Sequence, residues 1–237
     1  MSEPLKHISP TSFLSHSNTI LGASNAKKIF SAYDITSSIH PNAFWTKLMY
    51  LMGDIMFSEP SHKFVNYLAS QPSTHKKHAY RYTMTMRNPF PGSNLHQIPG
   101  HHFVDLLFLF QTLRERYPTK RLRNLSEEFG KAWLRFGVGK IPWPEFKKGE
   151  GEEKIMVFNG VDGCSLRTRE EDEGLSARSE EGERRYKGWD AIADVFTNLA
   201  KGKNGAEGAE DARLAWGPDG GLFRLIGLNG PYGVVIP

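Results

Sequence analysis

The sequence predicts an α/β protein: several helices around an incomplete sheet, followed by a glycine-rich, disordered tail. Three observations point there. Between Phe44 and Phe57 the residues Phe44, Trp45, Leu48, Leu51, Met52, Ile55 and Met56 recur at i, i+3, i+4 and i+7, the period of a helix buried on one broad face. Further on, Tyr80, Tyr82, Met84 and Met86 alternate with Arg81, Thr83, Thr85 and Arg87, the two-residue period of a strand. From Lys201 onward nine glycines punctuate a segment with few regularly spaced apolar residues.

In chain order, residues 1–11 form a flexible N-terminus. Ser24 and Asn25 are placed to cap a helix through Tyr33, with Ile29, Phe30 and Tyr33 on one face. Pro41 opens the stronger helix, Pro60 ends or bends it, and Phe64, Val65 and Leu68 continue it until it closes before Pro72. The strand over 79–86 follows. Residues 88–100 carry three prolines and two glycines and read as a loop, the kind of segment that presents reactive side chains from a rigid scaffold. Ser126 begins another helix, with Glu127 and Glu128 near its positive end and Phe129, Trp133 and Phe136 on one face; Gly137 and Gly139 stop it.

After Phe146 the composition changes. Residues 147–154 and 169–185 are rich in Lys, Arg, Glu and Gly and read as solvated linker, with one short strand, Ile155-Met156-Val157-Phe158, between them. A last helix runs from Tyr186 to Leu199. The predicted organisation is therefore a body over 12–146, a charged linker over 147–185, a terminal helix over 186–199 and a disordered tail over 200–237.

Composition narrows the partners. Hydrophobic residues make up 39% of the chain, below the average for globular domains, and the deficit lies after Phe146. The net charge of +4 is spread among acidic runs. Basic stretches such as Lys76-Lys77-His78 read as solvated faces, so no nucleic-acid partner is expected. A single cysteine, Cys164, rules out an intrachain disulfide. No signal peptide and no apolar run of about 18 residues is visible, so the chain reads as cytoplasmic as it stands, without a membrane partner. His75 and His78 lie one helical turn apart, but their setting matches no standard zinc spacing and no metal is expected. Met49, Met52, Met56, Met84 and Met86 read as core filler.

The chemistry is concentrated in Gly100-His101-His102-Phe103-Val104-Asp105-Leu106-Leu107-Phe108-Leu109-Phe110. Counting from His102, an acid falls at three residues, Leu at four, and aromatics at six and eight. This segment resembles the histidine segment of the type-B carboxylesterases, the serine-hydrolase family that includes cholinesterases and fungal lipases. Gly53-Asp54-Ile55-Met56-Phe57-Ser58-Glu59-Pro60 is similar to the family's D-x-x-F-x-x-P helix, and Ala79–Met86 to its Y-x-Y-x-F strand. Trp133–Gly137 and Ile141-Pro142-Trp143-Pro144-Glu145-Phe146 resemble its late helix and closing W-P-x-[YF] turn. The likeness runs from about Phe13 to Phe146, with a thinner echo to Trp189, and covers only the C-terminal portion of the family's α/β-hydrolase fold.

The resemblance implies hydrolysis of carboxylic esters through an acyl-serine, with no cofactor. His102 would be the catalytic base, relaying a proton from serine to the leaving alcohol. Asp54 and Asp105 are candidates for acids supporting it, with Asp34 as a further substitute acid. In this fold the triad runs Ser, then Asp or Glu, then His, and the serine sits in a G-x-S-x-G elbow. The chain has no G-x-S-x-G and no H-G-G-G-type loop, and the family's acidic triad member would lie before Met1. An activity of the chain alone is therefore not expected. The alternatives are a truncated, non-catalytic remnant acting as an interaction protein, or one piece of a split esterase that takes a small ester substrate once another chain completes it. The incomplete sheet also predicts self-association through an exposed edge.

Overall fold

The computed structural model describes residues 8–72, 78–93, 96, 100, 101, 103–149, 153–161, 163–176 and 184–202. These form a predominantly helical architecture with one small three-stranded sheet, compatible with the α/β class. The predicted tail lies outside the described residues, apart from the end of the last helix. No helix among the described residues is long and apolar enough to cross a membrane. The chain divides into two compact units, 1–62 with 186–237, and 63–185.

The first unit holds α1 (Pro10–Leu21), α2 (Ala23–Ala32), α3 (Pro41–Gly53), a π-helical turn (Asp54–Ser58), the opening of α4 (Glu59–Ala69) and α8 (Tyr186–Gly202). α1 lies outside the helices predicted from the sequence, yet its start follows helix-entry rules: Pro10 occupies the first turn and the Ser9 hydroxyl accepts from Ser12 N at 3.1 Å. Gly22, at φ 79°, separates α1 from α2. Ser24 and Asn25 are not the cap of α2. Both lie inside it, and Asn25 turns its amide back to Leu21 O at 2.9 Å. Pro41 does open α3, as its position predicts.

Phe13, Phe30 and Phe44 pack edge-on or tilted at centroid distances of 5.4 and 5.5 Å and form the centre of this unit's core with Ile29, Leu48 and Ile192. Met52 packs against that core. Met49 and Met56 instead face solvent, at 54% and 46% exposure, so for these two the core-filler expectation fails.

Pro60 does not end the helix. The ring falls in the first turn of α4, where the missing N–H is tolerated, and the π turn before it lets the chain continue with an extra residue in the ring of hydrogen bonds. That turn begins at Asp54, fully buried, whose carboxylate accepts from Tyr33 Oη at 2.8 Å. Gly188 on α8 has no room for a side chain, because a Cβ there would stand 2.6 Å from Tyr33 Oη. Tyr33→Phe removes a donor from a buried carboxylate while changing little volume. We expect it to lower stability by about 1–3 kcal/mol, read as a shift of the urea midpoint without a change of slope.

The second unit contains the sheet, ordered β1-β2-β3, where β1 is Arg81–Met84, β2 Ile155–Asn159 and β3 Gly163–Arg167. β1 pairs parallel with β2, Thr83 opposite Val157, and β2 pairs antiparallel with β3, Val157 opposite Ser165. The single strand expected within 147–185 is therefore two, and the sheet reaches into a region read as linker. Its polar composition is reconciled with order by α7 (Arg169–Ser176) and a buried ionic group. Asp172 is fully buried and accepts from Arg167 Nη1 at 3.2 Å and Arg184 Nε at 3.1 Å, and both guanidiniums are more than nine-tenths buried.

The long helix α6 (Lys120–Gly137) starts well before Ser126, with Thr119 Oγ1 accepting from Leu122 N at 3.2 Å. Glu127 and Glu128 are thus mid-helix and pair with Lys131; Glu127 also takes Arg114 at 2.9 Å. The hydrogen bond from Lys131 chiefly holds the Glu127 carboxyl below its ordinary range. Phe129 and Trp133 do lie on one face, packing on Tyr82 at 5.7 and 5.9 Å.

Candidate functional site

β1 delivers the chain to the segment that the sequence singles out, and the loop that follows is organised by local polar contacts. Asn88 Oδ1 accepts from Phe90 N at 2.9 Å, closing an Asx turn, and His96 Nδ1 lies 2.7 Å from Asn88 O. Gly100 then folds back along the strand and donates from its backbone N to Met86 O at 2.9 Å. The position demands glycine: φ is +56°, and a Cβ would sit 2.5 Å from Met84 O.

His101 follows, its carbonyl accepting from Val104 N at 3.0 Å. Phe103 is left-handed at φ 67° and begins the short helix α5 (Val104–Leu109). A non-glycine residue held in that region is strained, a feature that recurs at functional sites. The far side of α5 is anchored by Phe108, fully buried, whose carbonyl accepts from Ser126 Oγ at 2.7 Å. Tyr117 Oη donates to Leu107 O at 2.7 Å. Neither Ser126 nor Tyr117 was singled out in this role from the sequence. Ser126→Ala removes one of two donors to the Phe108 carbonyl, the other being Gln111 N at 3.3 Å, so we expect a loss of about 0.5–1.5 kcal/mol, measured by chemical denaturation.

His102 lies outside the described residues, although its neighbours on both sides are placed. Asp105 is half-buried in the first turn of α5. Its charge acts on Tyr82 of β1, whose phenol is pushed above the ordinary 10.0 first by burial and then by Asp105. Asp54 belongs to the first unit, where Tyr33 engages it. Asp34, also in the first unit, pairs with Lys47 at 3.1 Å. Of the histidines weighed as metal ligands, His75 is outside the described residues and His78 pairs with Glu145 at 3.2 Å. Among the described residues no group of three His, Cys, Asp or Glu side chains could hold a metal ion.

Cys164 does not supply the nucleophile that the sequence lacks. Although the residue reaches the surface of β3, its thiol is pushed up to about 11, first by desolvation and then by the charge of Glu128. The thiolate is the reactive form. Iodoacetamide alkylation of the folded chain is expected to stay slow at pH 8 and accelerate only as the pH approaches 11. In denaturant the rise should come about two pH units earlier, near the ordinary 9.0. A fast reaction at pH 7 in the folded chain would contradict this placement.

No family model, curated protein or solved structure matches the chain.

Proposed function

We propose that the chain is a type-B carboxylesterase-like protein with the α/β-hydrolase arrangement, carrying the histidine arm of a Ser-His-acid triad and catalytically incompetent by itself. The observation that supports this reading is the Gly100 turn. It folds the chain back on Met84 and Met86, at the carboxyl end of a strand in a parallel pair, and His101 and the strained Phe103, the residues on either side of His102 in the sequence, follow directly. Sites in open α/β sheets gather at that end of the strands. His102 is the general base of the reading, Asp105 a nearby acid of the same segment, and the substrate class is a small carboxylic ester. Without a serine elbow in the chain, the base has nothing to activate.

A non-catalytic, interaction-protein reading is favoured by a separate observation. Phe103, Phe110 and Leu134, all of the second unit, are 63%, 71% and 71% exposed and offer apolar side chains to a partner.

Hydrolysis of a short-chain aryl ester by the purified chain, beside His102→Ala, tests the proposal. The expected result is a linear, non-saturating rate without a burst. A burst of product equal to the amount of protein, lost in His102→Ala, would show a complete triad within the chain. Saturable turnover unchanged in His102→Ala would remove the histidine from the chemistry altogether.

A further inference from the structure

We propose that the end of α6 and the turn after it form a docking tip, with which the chain lies peripherally on an anionic phospholipid bilayer. Every residue over 134–141 is exposed, and four of them are large and apolar: Leu134, Phe136, Val138 and Ile141, at 71%, 50%, 69% and 63%. All belong to the second unit. Single apolar residues scattered on a surface are ordinary, whereas these stand close enough in the chain to make one patch. The patch is held from beneath by an aromatic base. Phe136 packs on Tyr80 at 6.0 Å and on Trp133 at 6.2 Å, and Trp143 meets Tyr80 at 6.3 Å.

The backbone of the tip favours lipid over a protein partner. A backbone N–H carried into a bilayer interface without an acceptor is costly. Here Val138 N donates to Leu134 O at 3.1 Å, Gly139 N to Phe136 O at 3.0 Å and Lys140 N to Arg135 O at 2.8 Å, a Schellman closure with Gly139 at φ 75°. Arg135 Nε reaches across the turn to Ile141 O at 2.9 Å. Pro142 and Pro144 follow, and neither has an N–H to satisfy. Charge supplies the sign of the surface. No Asp or Glu occurs between Phe129 and Pro144, while Arg135 and Lys140 stand exposed among the apolar residues. Two further exposed cations, Lys147 and Lys148, come to the same end of β1, because Phe146 N donates to Ala79 O at 2.8 Å, next to the Tyr80 on which Phe136 packs. Glu145, between these groups in the chain, is engaged by His78 at 3.2 Å. Long cationic stems beside exposed apolar side chains match a surface with hydrocarbon within and negative headgroups outside. The inference rests on the interaction-protein reading and names its partner; it uses no reacting residue.

Flotation of the full chain with lipid vesicles is the test, with soluble poly-glutamate as the comparison. Vesicles of phosphatidylcholine containing about a quarter phosphatidylserine are expected to bind the chain about tenfold or more tighter than phosphatidylcholine alone, and added salt should weaken that binding. Val138→Ser with Ile141→Ser, at two solvent-facing side chains, should lower the affinity by about tenfold, and Lys140→Glu by a similar factor. Val138→Leu with Ile141→Leu keeps the apolar surface and should bind as the wild type does, which separates a lost surface from a lost fold. Absence of binding to the anionic vesicles would overturn the proposal. So would binding left unchanged by the serine pair or by Lys140→Glu. Binding of poly-glutamate without binding of vesicles would overturn the lipid assignment while keeping the interaction reading, with an acidic polypeptide as the partner; failure with both would count against that reading as well.

Discussion

Asp172→Ala is expected to lower stability by about 3–5 kcal/mol, the largest effect of any single side-chain truncation outside the apolar cores. Asp172 has no exposed surface and stands between Arg167 and Arg184, each held within 3.2 Å. Removing the acid leaves two buried guanidiniums facing each other without the charge that offsets their desolvation. Arg167 Nε also donates to Ser165 Oγ at 2.9 Å, so the disturbance should reach β3. Differential scanning calorimetry would read the loss directly, and hydrogen exchange should place it at 163–176 rather than in the first unit. A change below about 1 kcal/mol would mean that water reaches this group and screens it, as at an exposed ion pair.

Gly100→Ala is expected to damage the candidate site specifically. The left-handed backbone alone costs about 1–2 kcal/mol for a residue with a Cβ. The contact of 2.5 Å with Met84 O involves backbone on both sides and cannot be relieved by a rotamer change, which adds a further penalty of about 1–3 kcal/mol. The cheapest escape is for the turn to leave the strand and give up the bond from Gly100 N to Met86 O. Hydrogen exchange at Gly100 and Val104 should accordingly quicken by more than tenfold while α1 and α2 are unchanged. Protection as in the wild type would show that the turn is not what fixes the segment.

What was legible in the sequence follows a physical pattern. α3 and the strand β1 carry their periodicity openly: Phe44, Leu48 and Leu51 of α3 enter one core, and Tyr80, Tyr82, Met84 and Met86 along the strand pack in another. Pro41 at a helix start was equally plain. α1 was hidden because its apolar residues are sparse and its start depends on the Ser9 hydroxyl and Pro10, a cap without a strong hydrophobic face behind it. The sheet beyond β1 was hidden for a different reason. Residues such as Asp172, Arg167 and Arg184 look solvated one by one, and only their mutual contact makes burial tolerable, which no local pattern announces. At the candidate site, the histidine segment stood out by its spacing. The need for glycine at 100 and the support of α5 by Ser126 and Tyr117 arise from residues brought together by folding.

A histidine arm without its own nucleophile makes a sharp demand on covalent chemistry. A fluorophosphonate captures an activated serine at its hydroxyl and is indifferent to which ester the protein prefers. Incubating the full chain with such a reagent and weighing the intact protein is the most direct measurement of the proposed state. The mass is expected to remain that of the unmodified chain, with and without His102→Ala. A single stoichiometric adduct on one serine, abolished by His102→Ala, would contradict it and show that the chain activates a nucleophile of its own.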